Sequence, residues 1–356
     1  MDRKIRRFFN LDKLVKKNKS WCQKKFILLG VLTIMAIAEA NVSGSLKQSN
    51  LSHPERNTLN EAIESITNKI RQRGDLPYVS MARQLELLKD LSQFGLGRFL
   101  LERGGLDGYW TNYVIHYPKQ GKLSGLNSEN QFFTALESFI LSQAPVCLAT
   151  QERFEIFKDA IQRRLYDGIS LASIPCGLSA DLLSLDFSQT PNFSIFGIDI
   201  DLDSLTQSKQ IAEKLGISSR CNFTQKDAWN LESFEEFDLI ASNGLSIYEP
   251  DNQKIVDLYQ QFFLALKPNG YLITSFLTPP PIPGQLTEWD LMFVNSEHSL
   301  LQKILFSDIL DSKWQVFRSE DLVRSQLLEA GFSEVEVIYD KAHIFPTAIA
   351  KKAKLI

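Results

Sequence analysis

Cysteine is scarce and scattered: Cys22, Cys147, Cys176 and Cys221 form no C-x-x-C pair. That scatter offers no clustered thiol centre and no disulfide framework, and a reduced, cytosolic chain fits it best. Long apolar runs are missing as well. Residues 26–38 are apolar but only 13 long, short of the roughly 20 that span a bilayer. There is no excess of one charge, the net being −3, so the overall balance gives no pointer to nucleic acid. Internal repeats and low-complexity segments are absent too.

What is present reads as an ordinary globular protein. With 356 residues, 44% apolar and 23% charged, the chain can bury a large core as two domains or one elaborated domain. Its charge is uneven: residues 1–25 hold ten Lys/Arg against two Asp. Ala38-Glu39-Ala40, after the apolar stretch, has the small-x-small form of a cleavage site. Residues 1–40 therefore keep three readings: an export signal, a membrane-surface or anchoring helix, or a buried N-terminal helix. In the second, the basic lead contacts a membrane surface.

Apolar stripes at helical spacing follow a polar link at 41–51. They predict helices over 54–73 (Leu59, Ile63, Ile66, Ile70), 81–101 (Leu85, Leu88, Leu91, Phe94) and 150–166 (Phe154, Phe157, Ile161, Leu165). A capping box at Ser128 and Gln131 predicts another helix reaching Ser142. Between them, glycines break residues 104–117, where Tyr109, Trp110, Tyr113 and Tyr117 crowd together. This cluster is either an aromatic patch pinning helices to a core or part of a lid, and His116 within it is a base or a structural residue. Residues 41–168 thus form a helical N-terminal region.

From Ile169 onward, strands and helices alternate, the pattern of an α/β sheet. Strands are predicted at 169–176, 193–198, 221–225, 237–242 and 271–276, with helices at 180–185, 203–215 and 253–266. A mostly helical insertion over 285–317, a helix at 319–330 and a hairpin of strands at 335–339 and 344–350 complete the chain. The fold class is α/β: a Rossmann-like, seven-stranded, mostly parallel sheet with an antiparallel edge strand, preceded by the N-terminal helical region.

One pair in this sheet carries chemistry. The first strand runs into Gly177, and the second ends at Asp199, 22 residues later. That is where a doubly wound sheet places a ribose-binding carboxylate. A glycine lets backbone approach a ligand, and a carboxylate accepts bonds from two sugar hydroxyls. A dinucleotide fingerprint wants three turn glycines, and only one stands here, which disfavours an NAD-dependent oxidoreductase.

Beyond these residues, the chain resembles the class I S-adenosylmethionine-dependent methyltransferases. The likeness rests on the Gly177 turn with Asp199, on K-D-A-W at 226–229, on L-K-P-N-G-Y-L-I-T-S-F at 266–276, and on L-L-E-A-G-F at 327–332 before the returning strands. It covers about residues 170–350. A narrower bacterial subset is similar at S-I-P-C-G-L (173–178), S-N-G-L-S-I-Y-E-P-D (242–251) and S-F-L-T-P-P-P (275–281). The resemblance implies a methyltransferase domain over 169–356 with an insertion at 279–318, S-adenosylmethionine as cosubstrate and no metal. It implies that Pro175, Cys176, Gly177, Ser179, Asp199, Ile200, Asp227, Ala228, Trp229, Ser242 and Asn243 surround the cosubstrate, with Asp199 on the ribose and Asp227 on the adenine. Three positions depart from the family's first-strand pattern: Ser173 replaces an acid, and Pro175 and Ser179 replace glycines.

Methyl transfer from a sulfonium needs alignment and exclusion of water more than it needs a base. The acceptor belongs beyond the fourth strand, where Asn243, Tyr248 and Glu249 are the candidate catalytic residues. Asn243-Gly244 equally suits a plain turn. Asp201 and Asp203 read as helix caps. Residues 278–281, with Trp289, His298 and Trp314, wall the acceptor site or form a small core of their own. No Asn-Pro-Pro-Tyr-type sequence follows the fourth strand, so a small-molecule acceptor is expected and nucleic acid is not. A protein substrate and a non-catalytic S-adenosylmethionine-binding module are the competing readings. The expected location is the cytoplasm, with membrane association or export as alternatives.

Overall fold

The computed structural model describes residues 58–282 and 284–353. The basic lead, the 26–38 apolar segment and the polar link lie outside the described residues. Helix α1 (Leu59–Arg73) starts at Thr58, whose hydroxyl accepts from the Glu61 amide while the Glu61 carboxylate accepts from the Thr58 amide. This reciprocal box satisfies two amides that a helix start leaves open.

The predicted 81–101 helix is two helices, α2 (Met81–Leu91) and α3 (Gly95–Arg103). The chain turns at Ser92–Phe94, and Gly97 then packs so close to the Leu91 carbonyl that a side chain has no room there. Gly104 ends α3 in the left-handed region, with φ 64°, which glycine adopts at little cost. Asp107 caps α4 (Gly108–His116) through the Trp110 amide.

The Ser128–Gln131 capping box is not formed. Asn127 Oδ1 instead accepts from the amides of Glu129 and Gln131 in a turn. Thr134 caps the real helix, α5 (Ala135–Ser142), through the Glu137 amide. Helix α6 (Pro145–Gln162) begins five residues before the predicted start, with Pro145 in its first turn, where the missing N–H costs nothing.

The seven strands are β1 (Ile169–Ser173), β2 (Phe193–Asp199), β3 (Cys221–Gln225), β4 (Phe237–Ser242), β5 (Leu266–Ser275), β6 (Glu334–Ile338) and β7 (Thr347–Lys351). Their spatial order is β3-β2-β1-β4-β5-β7-β6. All neighbours pair in parallel except at β7, which runs antiparallel to both β5 and β6. The reversed strand therefore lies one place in from the edge. β1 is shorter than predicted, ending at Ser173, and β5 is longer, starting at Leu266.

Helices α7 (Ala180–Leu183), α8 (Leu202–Lys214), α9 (Asn252–Ala265) and α11 (Glu320–Glu329) connect the strands. Asp201 caps α8, and Asp203 donates its amide to that cap instead of capping. The insertion is helical only over α10 (Ser296–Lys303) and the wider π turn Ile304–Ile309. The segment before it carries Thr278, Pro281 and Trp289 in extended and turn backbone.

Three apolar cores hold the fold. Two flank the sheet. The third joins the N-terminal helices to the insertion: Leu87, Leu91, Phe94 and Leu100 share it with Leu305, Phe306, Trp314 and Phe345. Helix α6 belongs to two cores, with Cys147 and Ala149 in the cap and Phe157 and Ile161 against the sheet. The cap is thereby fixed to the sheet by one continuous helix, with no linker between them.

Candidate functional site

The site is built at the carboxyl ends of β1, β2 and β4. After β1 the chain turns sharply through Gly177, with φ 48°, and Ser179, with φ 53°. The Gly177 amide donates to Asp199 Oδ2 at 2.8 Å, and the Gly177 carbonyl accepts from Ser208 Oγ at 2.8 Å. Asp199 Oδ1 accepts from the Asp201 amide at 3.0 Å. Burial holds the Asp199 carboxyl above its ordinary range, against the pull of these amides. Backbone amides hold both oxygens, and the carboxylate keeps lone-pair capacity for a ligand hydroxyl.

Ser173, standing where the family pattern has an acid, donates its hydroxyl to Asp181 at 2.9 Å to one oxygen and 3.1 Å to the other. Asp181 is buried, and burial pushes its carboxyl up to about 6. The acid missing from the strand thus reappears on α7. Sequence reasoning passed over Asp181, although a lone acid two residues beyond Ser179 was the available signal. Pro175 follows a cis peptide bond, and Cys176 is buried with its thiol pushed up by burial.

Beyond β2, the Ile200 side chain is exposed, and its carbonyl accepts from Gln225 Nε2. Asp227 is exposed and holds the Trp229 amide at 3.0 Å. Ala228 is buried. Trp229 packs against the sheet core and donates its indole N–H to the Lys254 carbonyl. These residues line the β2 and β3 side, while Ser242 and Asn243 stand at the end of β4, across β1 from them.

Around β4 the polar groups converge on Ser275, the last residue of β5. Its hydroxyl accepts from the Gly244 amide at 3.1 Å and from Arg153 Nη1 at 3.4 Å, and it donates to Asn243 Oδ1 at 3.5 Å. Arg153, on α6, is 4% exposed. It was missed because α6 reads in sequence as an apolar stripe. Tyr248 is half-buried, and burial pushes its hydroxyl up to about 12, so it stays protonated at neutral pH. Glu249 is buried, accepts from the Asp251 amide at 2.9 Å and lies 3.7 Å from Lys254 Nζ. Those contacts tie it to the first turn of α9.

The start of α4 packs against this floor. Gly108, the first residue of α4, lies so near the Gly177 turn that a Cβ on it would sit 2.9 Å from Gly177 Cα and 2.7 Å from Ser204 Oγ. Trp110 meets Tyr109 and Tyr113 edge to face. Tyr113 donates to Glu137 at 2.8 Å. His116 is bound through Nδ1 to the Asn112 carbonyl at 3.0 Å and stacks obliquely near Phe154. Trp289 and Trp314 are buried in the cap core, and His298 lies edge-on to Phe139. Among the described residues there is no cluster of His, Cys, Asp and Glu able to hold a metal ion, and no helix is long and apolar enough to cross a membrane.

Comparison with known proteins finds a matching domain and similar chains. A family model for a methyltransferase domain matches residues 171–315. A possible exported protein from Bordetella parapertussis has a similar structure, with a TM-score of 0.77 and 36% identity over 83% of this chain and 96% of that one. The methyltransferase phqN of Penicillium fellutanum is 24% identical over 107 residues, which is 30% of this chain. That match spans 31% of the curated relative's length. A magnesium protoporphyrin IX methyltransferase from Synechocystis, solved with bound S-adenosylhomocysteine, is 14% identical over 68% of this chain and all of that one, with a TM-score of 0.44.

Proposed function

Because residues 171–315 match a methyltransferase domain, we propose that the chain is a class I S-adenosylmethionine-dependent methyltransferase and transfers the methyl group of its cosubstrate to a small-molecule acceptor. The bond between the Gly177 amide and Asp199 carries this reading. It joins the turn after β1 to the carboxylate ending β2, the place where the fold receives a nucleoside. Asp199 receives the ribose hydroxyls, Ile200 and Ala228 meet the adenine faces, and Asp227 meets its amino group. Pro175, Cys176, Gly177, Ser179, Ser242 and Asn243 frame the methionine end. Trp229 acts mainly by packing, since its indole N–H is held by α9.

The chain's own groups align and enclose the reactants. Asn243 is held by Ser275 beside the acceptor position. Tyr248, protonated at neutral pH, orients the acceptor by donating a hydrogen bond, and Glu249 shapes the loop instead of taking a proton. The cap of α4 and the insertion excludes water, which favours displacement at a sulfonium methyl. A site with α4 packed against its first turn suits a small acceptor better than a protein surface. The protein acts in the cytoplasm, where the cosubstrate is supplied. Likeness to a possible exported protein makes export the competing reading, and cell fractionation with an antibody to the intact chain decides between them.

Purified protein incubated with methyl-labelled S-adenosylmethionine and cell extract tests the function. Label is expected in the small-molecule fraction and absent without the protein. Label confined to macromolecules would favour a protein substrate. Binding without any transfer would favour a non-catalytic module.

A further inference from the structure

Arg153 is a buried cation without an anion. It is 4% exposed, and its Nε has no hydrogen-bond partner. A guanidinium presents five N–H donors, and here one long bond, from Nη1 to Ser275 Oγ at 3.4 Å, is made to the protein. Its Cζ lies over the Phe345 ring, 3.7 Å from the centroid. Among the described residues no carboxylate forms an ion pair with it. Tyr248 and Asp340 act on it electrostatically, and the two Asp340 oxygens are bound by the amides of Ile344 and Phe345. A buried charge left unpaired is costly, and proteins retain one where a ligand completes it.

We propose that the methyl acceptor carries a carboxylate and that the Arg153 guanidinium receives it. This rests on the methyltransferase reading above. Position supports it: Arg153 touches the end of β5 at Ser275, and a Cβ on Gly244 would sit 3.4 Å from its Nη1. Both contacts lie on the far side of β1 from Asp199, which is the acceptor half of the sheet. With its Cζ over the Phe345 ring and its Nε unbonded, the guanidinium keeps N–H donors for a carboxylate, which such a fork binds through two parallel bonds. One cation with Asp340 nearby suits a single negative charge better than a phosphate dianion.

Calorimetry on the intact protein saturated with S-adenosylhomocysteine tests this, with acetate, acetamide, benzoate and benzamide as probes. In at least one acid–amide pair the acid is expected to bind on the order of tenfold tighter. That preference should vanish in Arg153→Gln and survive in part in Arg153→Lys, with affinity for S-adenosylhomocysteine unchanged. Equal binding of acid and amide in both pairs of the wild type overturns the proposal without any variant, as does a preference that persists in Arg153→Gln. The methionyl carboxylate is the other source of such an anion. If it is the ligand, Arg153→Gln weakens S-adenosylhomocysteine but leaves 5′-methylthioadenosine unaffected, and the proposal fails. A wild type that prefers benzoate yet binds no S-adenosylhomocysteine would overturn the methyltransferase reading, and the acceptor role with it.

Discussion

The Gly177 amide donates to Asp199 Oδ2 at 2.8 Å, so the turn after β1 and the end of β2 form one hydrogen-bonded unit. Asp199→Ala removes both this acceptor and the one serving the Asp201 amide. Loss of the ribose bonds is expected to weaken S-adenosylhomocysteine by about 1.5–3 kcal/mol. Calorimetry reads the affinity and circular dichroism confirms the fold. A folded variant with wild-type affinity would reduce Asp199 to a turn-holding role.

Asp181 makes stability depend on pH. Burial raises its carboxyl from 3.8 to about 6, so between those values the native state binds the proton more tightly than the unfolded chain does. Its contribution to stability therefore falls as pH rises through that window and is level above it. Asp181→Asn lifts the burial penalty and should be more stable than wild type at pH 7, by about 1–3 kcal/mol. The gap should close below pH 4. Denaturant melts at several pH values measure it, and parallel curves for the two proteins would contradict the assignment.

The sheet was legible because its strands are apolar runs bounded by turn residues, and Asp199 was legible because its spacing from Gly177 is a property of the fold. Local signals that compete were not. Ser128–Gln131 and Thr134–Glu137 carry the same capping pattern, and the second wins because Asn127 claims the amides at 129 and 131. The roles of Asp181 and Arg153 were missed for another reason. Their partners Ser173, Ser275 and Phe345 are brought to them by the turn or the tertiary fold, which helical periodicity does not record. The split of α2 from α3 was hidden by apolar spacing that continues through Phe94.

Tyr113 couples the aromatic cluster to the cap. Its hydroxyl and Asn127 Nδ2 both donate to the buried Glu137 carboxylate. Tyr113→Phe leaves one oxygen a donor short and is expected to cost about 1–3 kcal/mol of stability. A thermal melt checks this, and an unchanged midpoint would show that Glu137 finds another donor.

Helix α4 is the candidate lid. Its first residue rests on the Gly177 turn with no room for a side chain, so a ligand at that turn and the seating of α4 must influence each other. Hydrogen exchange over 104–117 is expected to slow when S-adenosylhomocysteine binds. Gly108→Val, which places two methyl groups in that contact, should speed exchange there and weaken the ligand together. Exchange indifferent to ligand would leave the N-terminal helices a structural role only.

Titration of S-adenosylhomocysteine into the intact protein, followed by calorimetry and set beside NAD, tests the central claim most directly. Micromolar, one-to-one binding of S-adenosylhomocysteine with no response to NAD is the predicted result. Binding of NAD with no response to S-adenosylhomocysteine would contradict the account.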